Sequence, residues 1–377
     1  MRVAYITNST EGGGAALPIP AVTRVLRDQG AQVRVFALEK RDGRALPALL
    51  AAGLDPLVRP NGGRSDHLQA LRWLDRETRA WGATHLWTAL SRSAALGLLL
   101  SRRRNLPTFC WLMNALPKTG NRLVLRALQA RAGAWIAVSD STAELARKVL
   151  RVHEDRVLTW PIYAADPLAP TAMPWEPGEP IRIGSLGRLH PVKGYDVLIA
   201  ALARLRREGF SPTAGFKVTI AGEGAGRARL EAAARAAGVD SLLMPGYTDH
   251  PARFLASQHL YVQPSRSEGF CVAVQEAMVA GLPVVVSAVG DLPQTVEQGA
   301  TGLVVPPEDP VALADALFRL LSRPALLYPM GVTARLRVLE RYSTQKFTAA
   351  GVDLFERMVS ASAAGHTTSR DPSGLRA

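Results

Sequence analysis

The sequence predicts an α/β protein made of two doubly wound parallel-sheet domains. Three observations carry that prediction. Short β-branched runs alternate with amphipathic stretches, the signature of βα units around a parallel sheet. The alternation occurs twice, with a proline-dense stretch between the two sets. The 377 residues exceed what one hydrophobic core usually organises and suit two domains.

In the first set, runs at 3–7, 33–38, 85–88, 108–112, 135–139 and 157–161 read as strands, and 16–29, 66–80 and 141–150 as helices. Pro167, Pro170, Pro174, Pro177 and Pro180 follow. Proline removes a donor and disfavours helix, so 166–180 reads as a linker. In the second set, strands are expected at 181–186, 217–221, 241–244, 260–264, 283–287 and 302–305, with helices at 195–208, 226–237, 271–280 and 311–321. The polar stretch 360–377, with Gly365, His366, Ser369 and Pro372, reads as a disordered tail. No strong internal repeat is visible.

Apolar residues at 47% and charged residues at 20% exclude wholesale disorder. Cys110 and Cys271 cannot make a disulfide framework or a four-cysteine zinc site. The N-terminus turns polar at Asn8 and Ser9, too early for a signal peptide, and the apolar run 94–100 is too short to span a bilayer. A soluble, cytoplasmic protein is expected. Net charge is +13, of which residues 1–170 carry +11 and 171–377 only +2. A field on one half suits nucleic acid, an anionic membrane or a phosphorylated acceptor, or reflects arginine on solvated helix faces.

The most informative segment runs from Pro264 through Ser265, Glu268, Gly269, Phe270 and Cys271 to Glu276. It passes from a strand end into a helix, whose free N–H groups and dipole make an anion seat. Gly269 allows close backbone approach to a ligand. Glu276 lies about two helical turns beyond Glu268, as if on the same helix face. Ionised carboxylates suit sugar hydroxyls better than phosphates. The alternative is that Glu268 is an ordinary residue of the helix's first turn and Glu276 part of a solvated face.

Upstream, Gly187, Arg188, Lys193 and Gly194 also follow a strand. Arginine supplies a planar fork and lysine a point charge, a pair suited to a diphosphate. The P-loop spacing is missing. Gly222 and Gly224 bracket Glu223 at another strand end, which could be a tight turn.

Taken in order, these segments resemble the nucleotide-sugar half of retaining GT-B glycosyltransferases of family 4, the glycosyl transferases group 1 type. The features are G-R-L-H-P-V-K-G at 187–194, I-A-G-E-G at 220–224, E-G-F-C-V-A-V-Q-E at 268–276 and the A-x-x-x-G-L-P-V-V run at 277–285. The likeness is specific over 181–310 and looser before it. It implies two Rossmann-like domains facing across a cleft. An acceptor-binding domain would span 1–165, a nucleotide-sugar domain 181–341, and a helix at 342–359 would cross back to the first domain. It implies transfer of a hexose-like sugar, with retention and without a metal or other cofactor, from a nucleoside diphosphate donor to an acceptor hydroxyl of an envelope polysaccharide or glycolipid. Arg188 and Lys193 would bind the diphosphate, and Glu276 the ribose. Glu268 with the amides of Gly269, Phe270 and Cys271 would hold the transferred sugar, and backbone at Met244 and Gly246 would edge the base. Arg188, Lys193 and Glu268 are the catalytic candidates, Gly187 their flank.

In the first half, Glu11-Gly12-Gly13-Gly14-Ala15 fails as a dinucleotide fingerprint because its third glycine is absent. It resembles the family's glycine loop beside the donor phosphates, and as a plain connection it would be merely flexible. Where many relatives carry a histidine, this chain has Met113 or Asn114, so Asn114 is the candidate acceptor contact. Trp160-Pro161-Ile162-Tyr163 replaces the usual Pro-Asn-Gly run, which alters the hinge region. No D-x-D triplet and no metal-ligand spacing of histidines occurs. A thiol at a helix start, as at Cys271, can have a lowered pKa.

Between 98 and 131, Arg102, Arg103, Arg104, Lys118, Arg122, Arg126 and Arg131 alternate with Leu123, Val124, Leu125 and Leu128. A basic amphipathic helix can lie on anionic lipid, making the protein peripheral on the inner membrane, or pack its leucines inward. The rival functions are a GT-B epimerase or phosphorylase, and a basic nucleic-acid-binding protein. Against the last, aromatics are only 6% and no RNP-like or helix-turn-helix signature appears, so no nucleic-acid partner is expected.

Overall fold

The computed structural model describes residues 1–14, 16–113, 119–210 and 215–367, with side chains to residue 360. The chain divides into two compact units, one of Met1–Ile162 with the chain from Gln345 onward, the other Tyr163–Thr344.

The first unit contains β1 (Arg2–Thr7), α1 (Ile19–Asp28), β2 (Gln32–Ala37), α2 (Leu46–Ala51), β3 (Leu57–Val58), α3 (His67–Ala80) and β4 (His85–Ala89). It continues with α4 (Ser91–Arg104), β5 (Thr108–Leu112), α5 (Thr119–Leu128), β6 (Ala134–Ala137), α6 (Asp140–Leu150) and β7 (Val157–Thr159). Its strands pair in parallel in the order β3-β2-β1-β4-β5-β6-β7. The strands β4, β5 and β6 are buried at every position, as expected where helices cover both faces of a parallel sheet. Helix α1 buries Ile19, Val22, Thr23, Val25 and Leu26, one stripe of a 3.6-residue period.

The second unit contains β8 (Ile181–Leu186), α7 (Tyr195–Arg207), β9 (Phe216–Ala221), α8 (Arg227–Ala236), β10 (Leu242–Gly246), α9 (Pro251–Ala256) and β11 (Leu260–Gln263). Then come α10 (Val272–Val279), β12 (Val284–Ser287), α11 (Leu292–Thr295), β13 (Gly302–Val305), α12 (Pro310–Leu321) and α13 (Leu327–Arg341). The sheet order is β10-β9-β8-β11-β12-β13, again parallel. In each sheet the strand order reverses once, between β1 and β4 and between β8 and β11. Ligands of doubly wound sheets bind outside the strand carboxyl ends at such a point. The loops leaving β8 and β11 are therefore the ones that matter in the second unit.

Two expectations need correction here. The proline-dense stretch is laid on the second unit: Ala172 N–H donates to the Ala280 carbonyl (2.8 Å), and Arg335 donates to the Pro167 carbonyl (2.6 Å). Prolines remove donors but leave carbonyls free to accept, so the segment docks through the Pro167 carbonyl and the N–H of the non-proline Ala172. The chain instead passes between units at 162/163 and 344/345. The terminal helix α14 (Thr344–Thr367) also outruns its expected end at 359, and the tail expected from 360 is helical to Thr367. Alanines at 361, 363 and 364 favour continuation, which a polarity argument alone overlooks. Residues 368–377 lie outside the described residues.

Trp160, in the run that departs from the family pattern, anchors this helix within the first unit. It is 1% exposed, donates its indole N–H to the Phe347 carbonyl (2.9 Å), and stacks on Trp111 with ring centroids 5.5 Å apart. Trp87 meets it edge-on at 5.9 Å and Phe347 lies 5.1 Å away. The tryptophan therefore supplies core volume and a satisfied donor together. Replacing Trp160 by alanine is expected to cost the first unit about 3–5 kcal/mol, read by native-state hydrogen exchange of α14 amides in increasing urea.

Candidate active site

The loop from β8 to α7 carries Gly187, Arg188, Lys193 and Gly194. The loop from β11 to α10 carries Ser265, Glu268, Gly269, Phe270 and Cys271. Backbone contact brings these loops together. Gly194 has φ +65°, and a Cβ there would stand 1.9 Å from the Pro264 carbonyl oxygen. Gly290 (φ +60°), after β12, would set a Cβ 2.4 Å from the Glu268 carbonyl oxygen. A side chain at either position would push the loops apart.

Arg266, which sequence reasoning passed over, locks the same junction. It pairs bidentately with Asp196 at 2.8 and 2.9 Å, and with Glu308 at 2.7 Å. It also donates to the Pro191 carbonyl (2.7 Å), while its backbone N–H donates to Val192 (2.8 Å). Arginine forks that satisfy two carboxylates are strong and directional. Its partners lie 42 to 75 residues away, so only a charged residue inside the motif hinted at its role.

Lys193 and Glu268 meet: Nζ donates to Oε1 at 2.7 Å, with side chains 18% and 12% exposed. Burial works against the Lys193 ammonium, but the neighbouring Cys271 and Glu268 outweigh it and raise its pKa above the ordinary lysine value. Ser265 Oγ donates to the same Glu268 oxygen at 2.6 Å. The Arg188 carbonyl accepts from the His190 N–H (2.8 Å), while its side chain is exposed, with no hydrogen bond or ion pair among the described residues. One cation is thus bound to a carboxylate, and the other is free for an external anion.

Helix α10 begins at Val272 with Cys271 as its N-cap (φ −75°, ψ 88°). The expected helical register between Glu268 and Glu276 does not hold, because Glu268 through Cys271 lie before the first turn. Amides at a helix start lack intrahelical acceptors. The Cys271 thiol is not activated. Burial, with Glu268 beside it, pushes it up to about 12, overriding the lowering expected at a helix start. Phe270 is buried and packs edge-on against Tyr342 at 5.1 Å.

Glu276 projects from α10 half-buried, and burial raises its carboxyl to about 7. Its charge adds to the burial that raises the Tyr163 phenol. On the β9–β10 side, Met244 presents its carbonyl to Arg227 (2.9 Å), and Gly246 accepts from the Gly222 amide (2.7 Å). Gly187 donates to the Ala221 carbonyl at 3.1 Å.

In the first unit, Gly13 and Gly14 are exposed after β1, and no atom lies within 4 Å of a Cβ built at either. The loop's root is held firmly. Glu11 pairs with Arg41, Arg41 with Glu39 (3.1 Å), Glu39 with Arg92, Arg92 with Asp66 (2.9 Å) and Asp66 with Arg59. The Gly12 amide donates to Asp42 (3.0 Å). Burial opposes the Asp66 charge, but Arg59 and the Gly63 amide bring its carboxyl down to about 2. Asn114 and Lys118 lie outside the described residues.

The region expected to face a membrane divides. Arg104 turns inward to Thr78 (2.9 Å), because α3 offers it an acceptor. Arg122, Leu123, Val124 and Arg126 of α5 are exposed, Leu123 at 62%, and only Leu125 of this helix is fully buried. No helix of the described residues is long and apolar enough to cross a membrane.

Comparison with known proteins adds an independent view. Residues 174–337 match the family model for glycosyl transferases group 1. The chain is 33% identical over 177 residues to a D-inositol 3-phosphate glycosyltransferase of Streptomyces bingchenggensis, covering 45% of this chain and 39% of the relative. It is 29% identical over 277 residues to the lipopolysaccharide core biosynthesis mannosyltransferase LpcC of Rhizobium leguminosarum, covering 72% and 76%. The matches to the first three inositol-phosphate enzymes span 36% to 65% of their length. Among solved structures, Anabaena HepE in complex with UDP-glucose superposes with a TM-score of 0.81 at 17% identity, covering 94% of this chain and 99% of HepE. The fold is the two-Rossmann GT-B fold.

The raised Glu276 carboxyl sets a pH dependence. Its folded pKa of about 7 lies above its ordinary 4.5, so the folded state holds the proton more tightly. Its contribution is fully present below pH 4.5 and lost as pH rises through 7. Glu276→Gln is therefore expected to flatten this fall and to stabilise the ligand-free protein at pH 8 by about 1–3 kcal/mol, read by urea denaturation at pH 5 and 8.

Proposed function

We propose that this chain, whose residues 174–337 match the family model for glycosyl transferases group 1, is a retaining glycosyltransferase of that family. It would move a hexose from a nucleoside diphosphate to an acceptor hydroxyl of an envelope polysaccharide or glycolipid. The observation that carries the reading is the junction of the β8 and β11 loops. There Lys193 pairs with Glu268 just before α10 begins, and the exposed Arg188 lies on the same β8 loop, at the switch point of the unit that the family model covers.

Bond cleavage moves negative charge onto the departing diphosphate. Arg188 and Lys193 are suited to receive it, and cations fixed before the reaction lower the barrier most where charge develops. On this reading Glu268 and the amides of Gly269, Phe270 and Cys271 hold the transferred sugar. Glu276 holds the ribose, and backbone at Met244 and Gly246 borders the base. Hydroxyl donors would stabilise the ionised form of Glu276 and so release its proton on binding. Cations and amides at these positions supply the stabilisation that other glycosyltransferases draw from a metal, so no cofactor is proposed. Retention implies attack from the face that the leaving group vacates, with the leaving phosphate accepting the acceptor's proton.

Arg188→Ala and Lys193→Ala are each expected to lower turnover about 10²–10³-fold in a nucleoside diphosphate release assay, with proton NMR showing the donor's anomeric configuration retained in the product. Near-normal turnover in both variants, or an inverted product, would sink the assignment.

The exposed Arg122, Leu123, Val124 and Arg126 also support peripheral docking of α5 on anionic lipid. Each cation near such a surface contributes about 1 kcal/mol. The Arg122→Glu, Arg126→Glu double variant should therefore float with phosphatidylserine vesicles at least tenfold less than wild type. Equal flotation counts against docking through this helix.

A further inference from the structure

We propose that Ser265 is a positioning residue that orients the Glu268 carboxylate through a one-way chain of hydrogen bonds rooted in β8. The inference rests on the function proposed above for Glu268.

Tyr261, Gln263 and Ser265 alternate along β11 and its continuation, so a two-residue period puts them on one face. Each is buried, with relative exposure of 0%. The Leu186 N–H donates to the Tyr261 hydroxyl (3.1 Å), and Tyr261 donates to Gln263 Oε1 (2.8 Å). Gln263 Nε2 donates to Ser265 Oγ (2.8 Å), and Ser265 donates to Glu268 Oε1 (2.6 Å).

The direction of this chain follows from donor and acceptor identity. A backbone N–H can only donate, so the Tyr261 oxygen accepts at Leu186, and its single proton goes to Gln263 Oε1 at 2.8 Å in preference to the Leu186 carbonyl at 3.3 Å. That fixes the amide with its NH₂ toward Ser265. The serine oxygen is then occupied as an acceptor, and its one proton points to Glu268. With the amide reversed, Ser265 would donate to Gln263 and the carboxylate would lose a donor. Lys193 attracts the same Glu268 oxygen as a charge, but an ammonium on a flexible stem fixes orientation poorly. The serine hydroxyl, held by a buried amide, supplies the missing angular constraint. Leu186 is also the last residue before Gly187 and Arg188. The chain therefore ties the carboxylate to the root of the loop that carries the free cation.

The test compares wild type, Ser265→Ala and Ser265→Thr, each checked for a wild-type melting profile, by crystal structure and by steady-state kinetics with UDP-glucose and GDP-mannose. Ser265→Ala is expected to show Glu268 in a different rotamer, and kcat reduced about tenfold with KM within about twofold. Ser265→Thr, which keeps the hydroxyl, should recover both. An unmoved carboxylate or an unchanged kcat in Ser265→Ala overturns the proposal. If Ser265→Ala does not fold, Ser265→Cys, similar in size but a weak donor, replaces it with the same expectations. If wild type turns over neither donor, the proposed function loses its support with these donors, while the crystal structures still decide whether Ser265 orients Glu268.

Discussion

The candidate site depends on how closely two stretches of backbone approach. Gly194 leaves no room for a Cβ against the Pro264 carbonyl, and Gly290 none against that of Glu268. Those contacts let the β8 and β11 loops share one small space at the reversal of strand order. Arg266 then closes the junction with a bidentate pair to Asp196 and a second pair to Glu308. Once the loops are fixed, Lys193 and Glu268 have little choice but to meet.

That meeting explains the electrostatic character of the site. A partly buried ion pair is costly to assemble, and it is retained where further hydrogen bonds satisfy the remaining capacity. Here the Ser265 hydroxyl adds such a bond to the carboxylate, while the Arg188 side chain stays in solvent without a partner among the described residues. Glu276 differs: with no charge partner among the described residues, burial raises its carboxyl to about 7, so its protonation changes near physiological pH. Two carboxylates eight residues apart thus sit in different surroundings, one beside a cation and a hydroxyl donor and the other buried with neither among the described residues.

The first unit uses charge differently. A run of alternating acids and arginines from Glu11 to Arg59 braces the root of the glycine loop and leaves Gly13 and Gly14 in solvent. A loop rooted this way is open at its tip without being loose at its base. The tryptophans of this unit do comparable work for α14, since Trp160 fills core volume and carries a hydrogen bond to the helix backbone.

Alternating β-branched runs and amphipathic stretches determined two parallel α/β units, because strand burial and helix periodicity are local properties of a chain. The residues of the β8 and β11 loops were legible for the same reason: strand-end glycines beside cations and carboxylates signal anion and hydroxyl chemistry within a dozen residues. The sequence could not determine that Lys193 would be bound to Glu268, that Arg266 would lock the junction, or that Glu268 precedes the helix that carries Glu276. Nor could it show the proline-dense stretch docked on the second unit, or Cys271 buried beyond activation. Each of these depends on partners tens of residues away or on exclusion of solvent, and only the folded chain decides which groups are brought together and how much water is left around them.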